Sequence, residues 1–275
     1  MSPLLLYGKP CTEHLAESIA NSVTELGFAP KLYTIGFDNE QWLQYTTSLA
    51  KSATRYSVEV QNITAVSQDI LPEEFFKLVK DTCANTDCCG VMLQQPLPTE
   101  FKQAVNFVDV SVDVDCQNPL TCAKLYYGQD GFRPATAQAV INLLDFYNIE
   151  LQGKNVVIVG RGNAVGKPLA LMMIARNATV TVCHTKTKNL AKVCQNADIL
   201  ISACGKAGLI TSDFVNNNTI VVDVGLSFVG GKSCGDVSPE VYDICAGYSP
   251  VPGGVGPVTR ATLFENLIKA AKGDR

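Results

Sequence analysis

A chain of 275 residues with 47% hydrophobic content can bury two modest cores, because domains cluster near about 100–150 residues. Its net charge of −4 and its 17% charged residues, spread without a dense Lys/Arg block, argue against nucleic acid or a polybasic membrane surface as partner. The opening MSPLLLYGKP lacks a basic leader and a small-residue cleavage site, and no run approaches the roughly 18 apolar residues of a membrane helix, so a soluble, cytoplasmic protein is expected. The 11 cysteines are odd in number, scattered from Cys11 to Cys245 and mostly set in apolar runs, which reads as small reduced core residues. With histidine only at His14 and His184, no Cys/His cluster has zinc-ligand spacing, and no metal is expected.

Leu15, Ile19 and Val23 recur every fourth residue and predict a first helix from about Thr12 to Leu26. An extended run KLYTIG follows, then a helix through NEQWLQYTTSLAKSATR that ends near Tyr56. VEVQNI reads as strand, PEEFFKLVKDTCA as helix, GVMLQ as strand, and residues Glu100 to Phe107 as a short helix. From Asp109 to Arg133 periodicity is lost, which predicts a long loop, and loops of this length in compact domains are often functional. A helix from Thr136 to Tyr147 precedes NVVIVG, a run suited to a strand buried on both faces, and further strands are expected at ATVTVCH, DILISACG and TIVVDVG. RATLFENLIKAAK closes the pattern as a helix with Leu263, Leu267 and Ala271 on one side. The expected fold is α/β: two domains around a cleft, 1–137 plus 256–275 and 138–255, the second a Rossmann-type parallel sheet and the final helix returning to the N-terminal domain.

In VVIVGRGNAVGKPLALMM, glycines at 160, 162 and 166 lie between a buried strand and an apolar helix beginning at about Ala164. Gly160 permits the tight turn, Gly162 removes a Cβ that would block a pyrophosphate, and Gly166 lets the helix approach the sheet. Free N–H groups at the helix start would hold the phosphates, so the loop from Gly160 to Gly166, including Arg161 and Val165, predicts a dinucleotide site. The next strand runs into HTKTKN without a carboxylate for ribose hydroxyls. Thr185, Lys186 and Lys188, with Arg161, offer donors and charge for a 2′-phosphate, which favours NADP over NAD; a solvated lysine surface is the plainer alternative. His184 reads equally as a helix-start or packing residue and as a cofactor contact.

GVMLQQPLP, DVDC, GRGNAVGKP, CHTKTKNL, VVDVGL and above all PVPGGVGPVTRATL together resemble the bifunctional methylenetetrahydrofolate dehydrogenase/methenyltetrahydrofolate cyclohydrolase (FolD) family over nearly the whole chain. The resemblance implies catalytic roles for Tyr45, Gln94 and Asp115, with Tyr45 stacking on the pterin and Asp115 binding its edge. It also implies substrate contacts from Pro252, Gly253, Gly254 and Thr259, cofactor contacts from Gly205 and Leu226, and a homodimer. Taken alone, Tyr45 reads as a half-buried helix aromatic, Gln94 as a strand-end hydrogen bonder and Asp115 as a turn former. The sequence departs from the family where the tyrosine is followed by a lysine four residues later, both expected to point into the cleft: Leu49 holds that place, while Lys51 is rotated away. Trp42 replaces a serine, Gln95 a leucine and Cys116 a glycine, and the segment before the linking helix reads PATAQ with Thr136 retained. The expected function is NADP-dependent oxidation of 5,10-methylenetetrahydrofolate to the methenyl form, with cyclohydrolase activity weak or absent. A fully bifunctional enzyme and a non-catalytic nucleotide- or folate-binding paralogue are the alternatives.

Overall fold

The structure, a computed structural model, describes residues 2–65 and 70–273. Two stretches of β-branched and apolar sequence build two separate parallel sheets. In the smaller sheet, β2 (Lys31–Phe37) is central, flanked by β3 (Glu59–Ala65) and β4 (Cys88–Leu93). Period-two alternation sends Leu32 to one core, with Ile19, Leu49 and Phe264, and Tyr33 and Ile35 to the other, with Phe75, Val79 and Phe101. The helices follow the same logic. Asn39 accepts the N–H groups of Gln41 and Trp42 and so starts α2 (Glu40–Ala53), whose Trp42, Thr46, Leu49 and Ala53 form the buried stripe. Pro72 opens α3 (Pro72–Cys83), where Glu74 accepts the Leu71 N–H.

The expected loop over 109–133 contains a helix, α4 (Pro119–Tyr126). Its start is local chemistry: the Asn118 side chain accepts the Leu120 N–H at 2.8 Å, and Pro119 stands where a helix lacks a partner for N–H. Eight residues are too few for hydrophobic periodicity to reveal it.

The larger sheet has six parallel strands in the order β1-β11-β8-β7-β5-β6. These are β1 (Leu4–Leu5), β5 (Asn155–Val159), β6 (Thr179–Cys183), β7 (Ile199–Ser202), β8 (Ile220–Asp223) and β11 (Gly247–Tyr248); β9 (Ser227–Val229) and β10 (Lys232–Cys234) form a separate hairpin. Helices α5 (Ala135–Phe146), α6 (Gly166–Ala175) and α7 (Leu190–Cys194) accompany them, and α6 starts two residues later than expected.

The chain divides into one unit of residues up to Glu13 with Thr136–Thr259, and another of His14–Ala135 with the residues from Arg260 onward. It passes between them inside α1 (Gly8–Leu26), α5 and α8 (Val255–Lys272). The expected division put residues 1–13 with the smaller sheet. Residues 2–13 group instead with the larger one, because Leu4 and Leu5 pair with Gly247 and Tyr248, and the Gly8 N–H donates to the Gly253 carbonyl at 2.8 Å. No helix among the described residues is long and apolar enough to cross a membrane. Among the described residues no cysteine is in a disulfide, but the cysteines are not uniformly core residues: Cys204 is exposed, and Cys83, Cys88, Cys89, Cys122 and Cys234 are half-buried.

Candidate active site

The strand order reverses at β5, which lies between β6 and β7 although β6 follows it directly in the chain. Crevices at such reversals, beyond the carboxyl ends of the strands, are where open α/β sheets bind ligands. Gly160 leaves β5 at φ 130, and a Cβ there would lie 2.5 Å from the Ala203 carbonyl oxygen. A Cβ on Gly166 would collide with the Gly160 carbonyl, so these two glycines are required by the turn and by the approach of α6. Gly162 differs. Its φ is not positive and a Cβ would meet nothing within 4 Å, so the fold leaves free the space that a close-lying phosphate would need. Arg161, beside Gly162 in the chain, is exposed, as are Thr185 and Lys186 after β6, and Val165 is half-buried immediately before α6. His184 shapes the turn after β6: its Nδ1 accepts the Lys186 N–H at 3.1 Å and its own N–H donates to Thr187 Oγ1 at 2.9 Å.

Gly205, at φ 63, and Leu226, 57% exposed, lie on the loops after β7 and β8, and a Cβ on Gly205 would come within 3.9 Å of the Leu226 carbonyl oxygen. Two buried carboxylates hold these loops, and neither was singled out in the sequence. Asp236 accepts from Ser202 Oγ at 2.9 Å and from the Cys204 and Lys206 N–H groups at 2.7 and 2.6 Å. Asp223 accepts from the N–H groups of Gly225, Asp236 and Val237, and burial pushes its pKa up to about 6. Gly225 packs on the Asp236 carboxylate and Gly235 on that of Asp223, leaving no room for a Cβ at either. An aspartate ending the apolar run TIVVD, and another between Gly235 and Val237, were the available signals. In the same unit Pro252 is exposed, Gly253 has φ 109, and Gly254 lies so close to Pro250 that a Cβ would stand 2.7 Å from its carbonyl oxygen. The Thr259 hydroxyl donates to the Val255 carbonyl at 3.3 Å.

The second unit holds Tyr45, Gln94 and Asp115, whereas Pro252, Gly253, Gly254 and Thr259, also expected to contact substrate, lie in the first. Tyr45 is 38% exposed and stacks on Trp42, with ring centroids 5.8 Å apart and an interplanar angle of 21°. Surrounding protein raises the pKa of its phenol by displacing water; the Asp115 carboxylate adds to the rise and Arg260 opposes it. Arg260 itself donates to Ser48 Oγ at 3.0 Å. Gln94 leaves β4 with its Oε1 accepting the Phe37 N–H at 2.7 Å. A Cβ on Gly36 would collide with Trp42 Nε1 and come 2.7 Å from Gln94 Oε1, so the indole occupies space beside the carboxamide that only glycine leaves open. Among the described residues the buried indole N–H has no hydrogen-bond partner. Gln117, not anticipated from sequence, clamps the neighbourhood: it exchanges two hydrogen bonds with the Leu93 backbone, at 2.8 and 2.9 Å, and its Nε2 donates to Asp115 Oδ2 at 3.3 Å.

Leu49 is a core residue. It is 0% exposed and packs in one core cluster with Trp42, Leu32, Val114, Cys116 and Phe264. An apolar side chain at this position gains by turning into the core, and Trp42 two turns earlier on the same stripe closes the space beside it. Lys51 is exposed and off that stripe.

The Asp115 Oδ1 accepts the Ala135 N–H at 3.3 Å, but burial outweighs this bond and the nearby Asp113 adds to it, pushing the pKa up to about 7. The folded protein therefore holds this proton more tightly than the unfolded chain. The resulting stabilisation is complete below about pH 4 and is lost as pH rises through about 7. Asp115→Asn is expected to match the parent below about pH 4 and to exceed its stability above about pH 8, by on the order of 2 kcal/mol. Urea unfolding across pH measures this; equal stabilities at high pH would contradict it.

The model of the tetrahydrofolate dehydrogenase/cyclohydrolase NAD(P)-binding domain matches residues 134–275. The chain is 36% identical to the bifunctional protein FolD of Clostridium botulinum and 38% identical to that of Thermosipho africanus, each alignment covering 98% of both chains. Among solved structures, bifunctional FolD of Campylobacter jejuni superposes with a TM-score of 0.95 at 35% identity over 100% of both chains. The Trypanosoma brucei enzyme, complexed with NADP cofactor and inhibitor, gives 0.91 at 28% identity over 99% of this chain and 98% of that one. Built on the same two α/β units and alike from end to end, the chain belongs to the tetrahydrofolate dehydrogenase/cyclohydrolase family.

Proposed function

We propose that this protein oxidises 5,10-methylenetetrahydrofolate to 5,10-methenyltetrahydrofolate with NADP, and that it hydrolyses the methenyl product weakly or not at all. The unit built on the larger sheet serves as the dinucleotide domain and the other as the folate domain. The cofactor supplies a hydride acceptor when bound. Gly162, with space left open at the strand reversal, lets phosphate approach the backbone, and the N–H groups at the start of α6 hold it. The exposed Arg161, Thr185 and Lys186 suit a 2′-phosphate, and NADP is the cofactor of the solved Trypanosoma brucei relative. Lys186→Ala is expected to raise the KM for NADP by about tenfold and to leave that for NAD unchanged, since one charge-assisted contact to the extra phosphate is lost. Equal effects on both cofactors would remove Lys186 from phosphate recognition.

On the folate side, Tyr45 offers a ring face for the pterin, Asp115 and Gln94 offer polar groups, and Gln117 holds Asp115 beside the end of β4. Hydride loss from the methylene bridge leaves a resonance-stabilised cation and needs positioning but no proton transfer. Hydrolysis needs water attack and proton movement, for which a tuned lysine suits. The observation that carries the reading is the buried Leu49, at the position where the resemblance implies that lysine, with Lys51 on another face. Full bifunctionality is the second reading, favoured by the names of the Clostridium botulinum and Thermosipho africanus relatives. Incubation with methylenetetrahydrofolate and NADP tests the oxidation: NADPH formation is expected, whereas saturable NADP binding without NADPH formation would make the protein a binding paralogue.

A further inference from the structure

Cys116 follows Asp115 directly and has φ 53, in the left-handed region that a residue with a side chain seldom occupies. Its Sγ lies 3.5 Å from the Sγ of Cys122 in α4, and the Cys122 thiol donates to the Cys116 carbonyl oxygen at 3.0 Å. The turn that joins them is firmly held: Asp113 accepts the N–H groups of Gln117 and Asn118, both at 2.9 Å, and Asn118 caps the helix carrying Cys122. Cys116 is buried, whereas Cys122 is half-buried and has access to solvent. Proximity to Cys116, whose S–H can donate to a thiolate, lowers the pKa of Cys122, while burial and the carboxylates of Asp113 and Asp115 act in the opposite direction.

We propose that Cys116 and Cys122 form a reversible disulfide that shifts the Asp115–Gln117 turn and so weakens binding at the folate side. The effect on binding rests on the reading of Asp115 as a substrate contact. The oxidant is a low-molecular-weight disulfide. The Cys122 thiolate attacks one of its sulfurs, its S–S bond breaks and one thiolate leaves; the buried Cys116, whose thiol Cys122 and burial hold in the protonated form, then attacks the Cys122 sulfur as its proton passes to a leaving thiolate, and expels the second thiol. The two protein thiols lose two hydrogens, and the external disulfide is reduced to two thiols. Bond formation brings the sulfurs from 3.5 Å to about 2.05 Å, a movement that the backbone beside Asp115 and Gln117 must share.

The test treats the full chain with oxidised glutathione, alkylates remaining thiols and maps the tryptic peptide 103–124, which contains Cys116 and Cys122 and no other cysteine. The expected result is loss of two hydrogens from that peptide, with a rise on the order of tenfold in the KM for methylenetetrahydrofolate, the scale of a displaced bond to a charged group. NADP affinity should not change, dithiothreitol should reverse the effect, and Cys122→Ser should abolish it. A peptide that keeps both thiols open to alkylation overturns the proposal. A cross-linked peptide with unaltered KM overturns the coupling to the folate side. Asp115→Asn measured alongside separates the two failures: if it too leaves KM unaltered, the assignment of Asp115 is at fault.

Discussion

The double variant Trp42→Ser/Leu49→Lys is expected to hydrolyse methenyltetrahydrofolate more than about 100-fold faster than the parent per folded molecule, the usual scale for a positioned acid–base group. Leu49→Lys alone should not do so. The Leu49 side chain is 0% exposed in a cluster that includes Trp42, Leu32 and Phe264, so a lysine there would bring an amine into an apolar core. Such a charge costs on the order of 3–5 kcal/mol when uncompensated, or neutralises by a fall in pKa. Removing the indole opens the space beside Gly36 and Gln94, which Trp42 now fills, and gives the lysine a polar neighbour. The two substitutions therefore couple, and their effects on stability and hydrolysis should not add. A folded double variant with the parent's hydrolysis rate would sink the assignment of position 49.

Gly162→Val and Gly160→Ala should separate ligand from fold. Gly162 has no neighbour within 4 Å of a Cβ, so Gly162→Val should melt within a few degrees of the parent yet bind NADP on the order of 100-fold more weakly, because its side chain enters the space reserved for the pyrophosphate. Gly160→Ala meets both φ 130 and the Ala203 carbonyl at 2.5 Å, and should lose about 3 kcal/mol of stability. Calorimetric melting with NADP titration checks both. Unchanged NADP affinity in Gly162→Val would remove the loop from cofactor binding.

Much of the architecture was legible because strand runs such as NVVIV are unbroken apolar stretches and helices such as PEEFFKLVKDTC carry helical periodicity. Helix α4 was missed because its signal is the dipeptide Asn118-Pro119 rather than a pattern. The placement of residues 2–13 depends on pairing between Leu4–Leu5 and Gly247–Tyr248, a contact that no local rule encodes. The same holds at the site. The glycine loop announces itself by spacing, whereas Gln117, Asp223 and Asp236 act through hydrogen bonds to segments remote in sequence or across turns. Leu49 shows the limit of face arithmetic: helical spacing relates it to Tyr45, but only packing reveals that it joins Trp42 in the core.

The most direct measurement of the central claim follows NADPH and the methenyl product together by absorbance during turnover of methylenetetrahydrofolate with NADP. Methenyltetrahydrofolate accumulating in step with NADPH is the predicted result; NADPH formation with the methenyl compound removed by the enzyme as fast as it forms would contradict it.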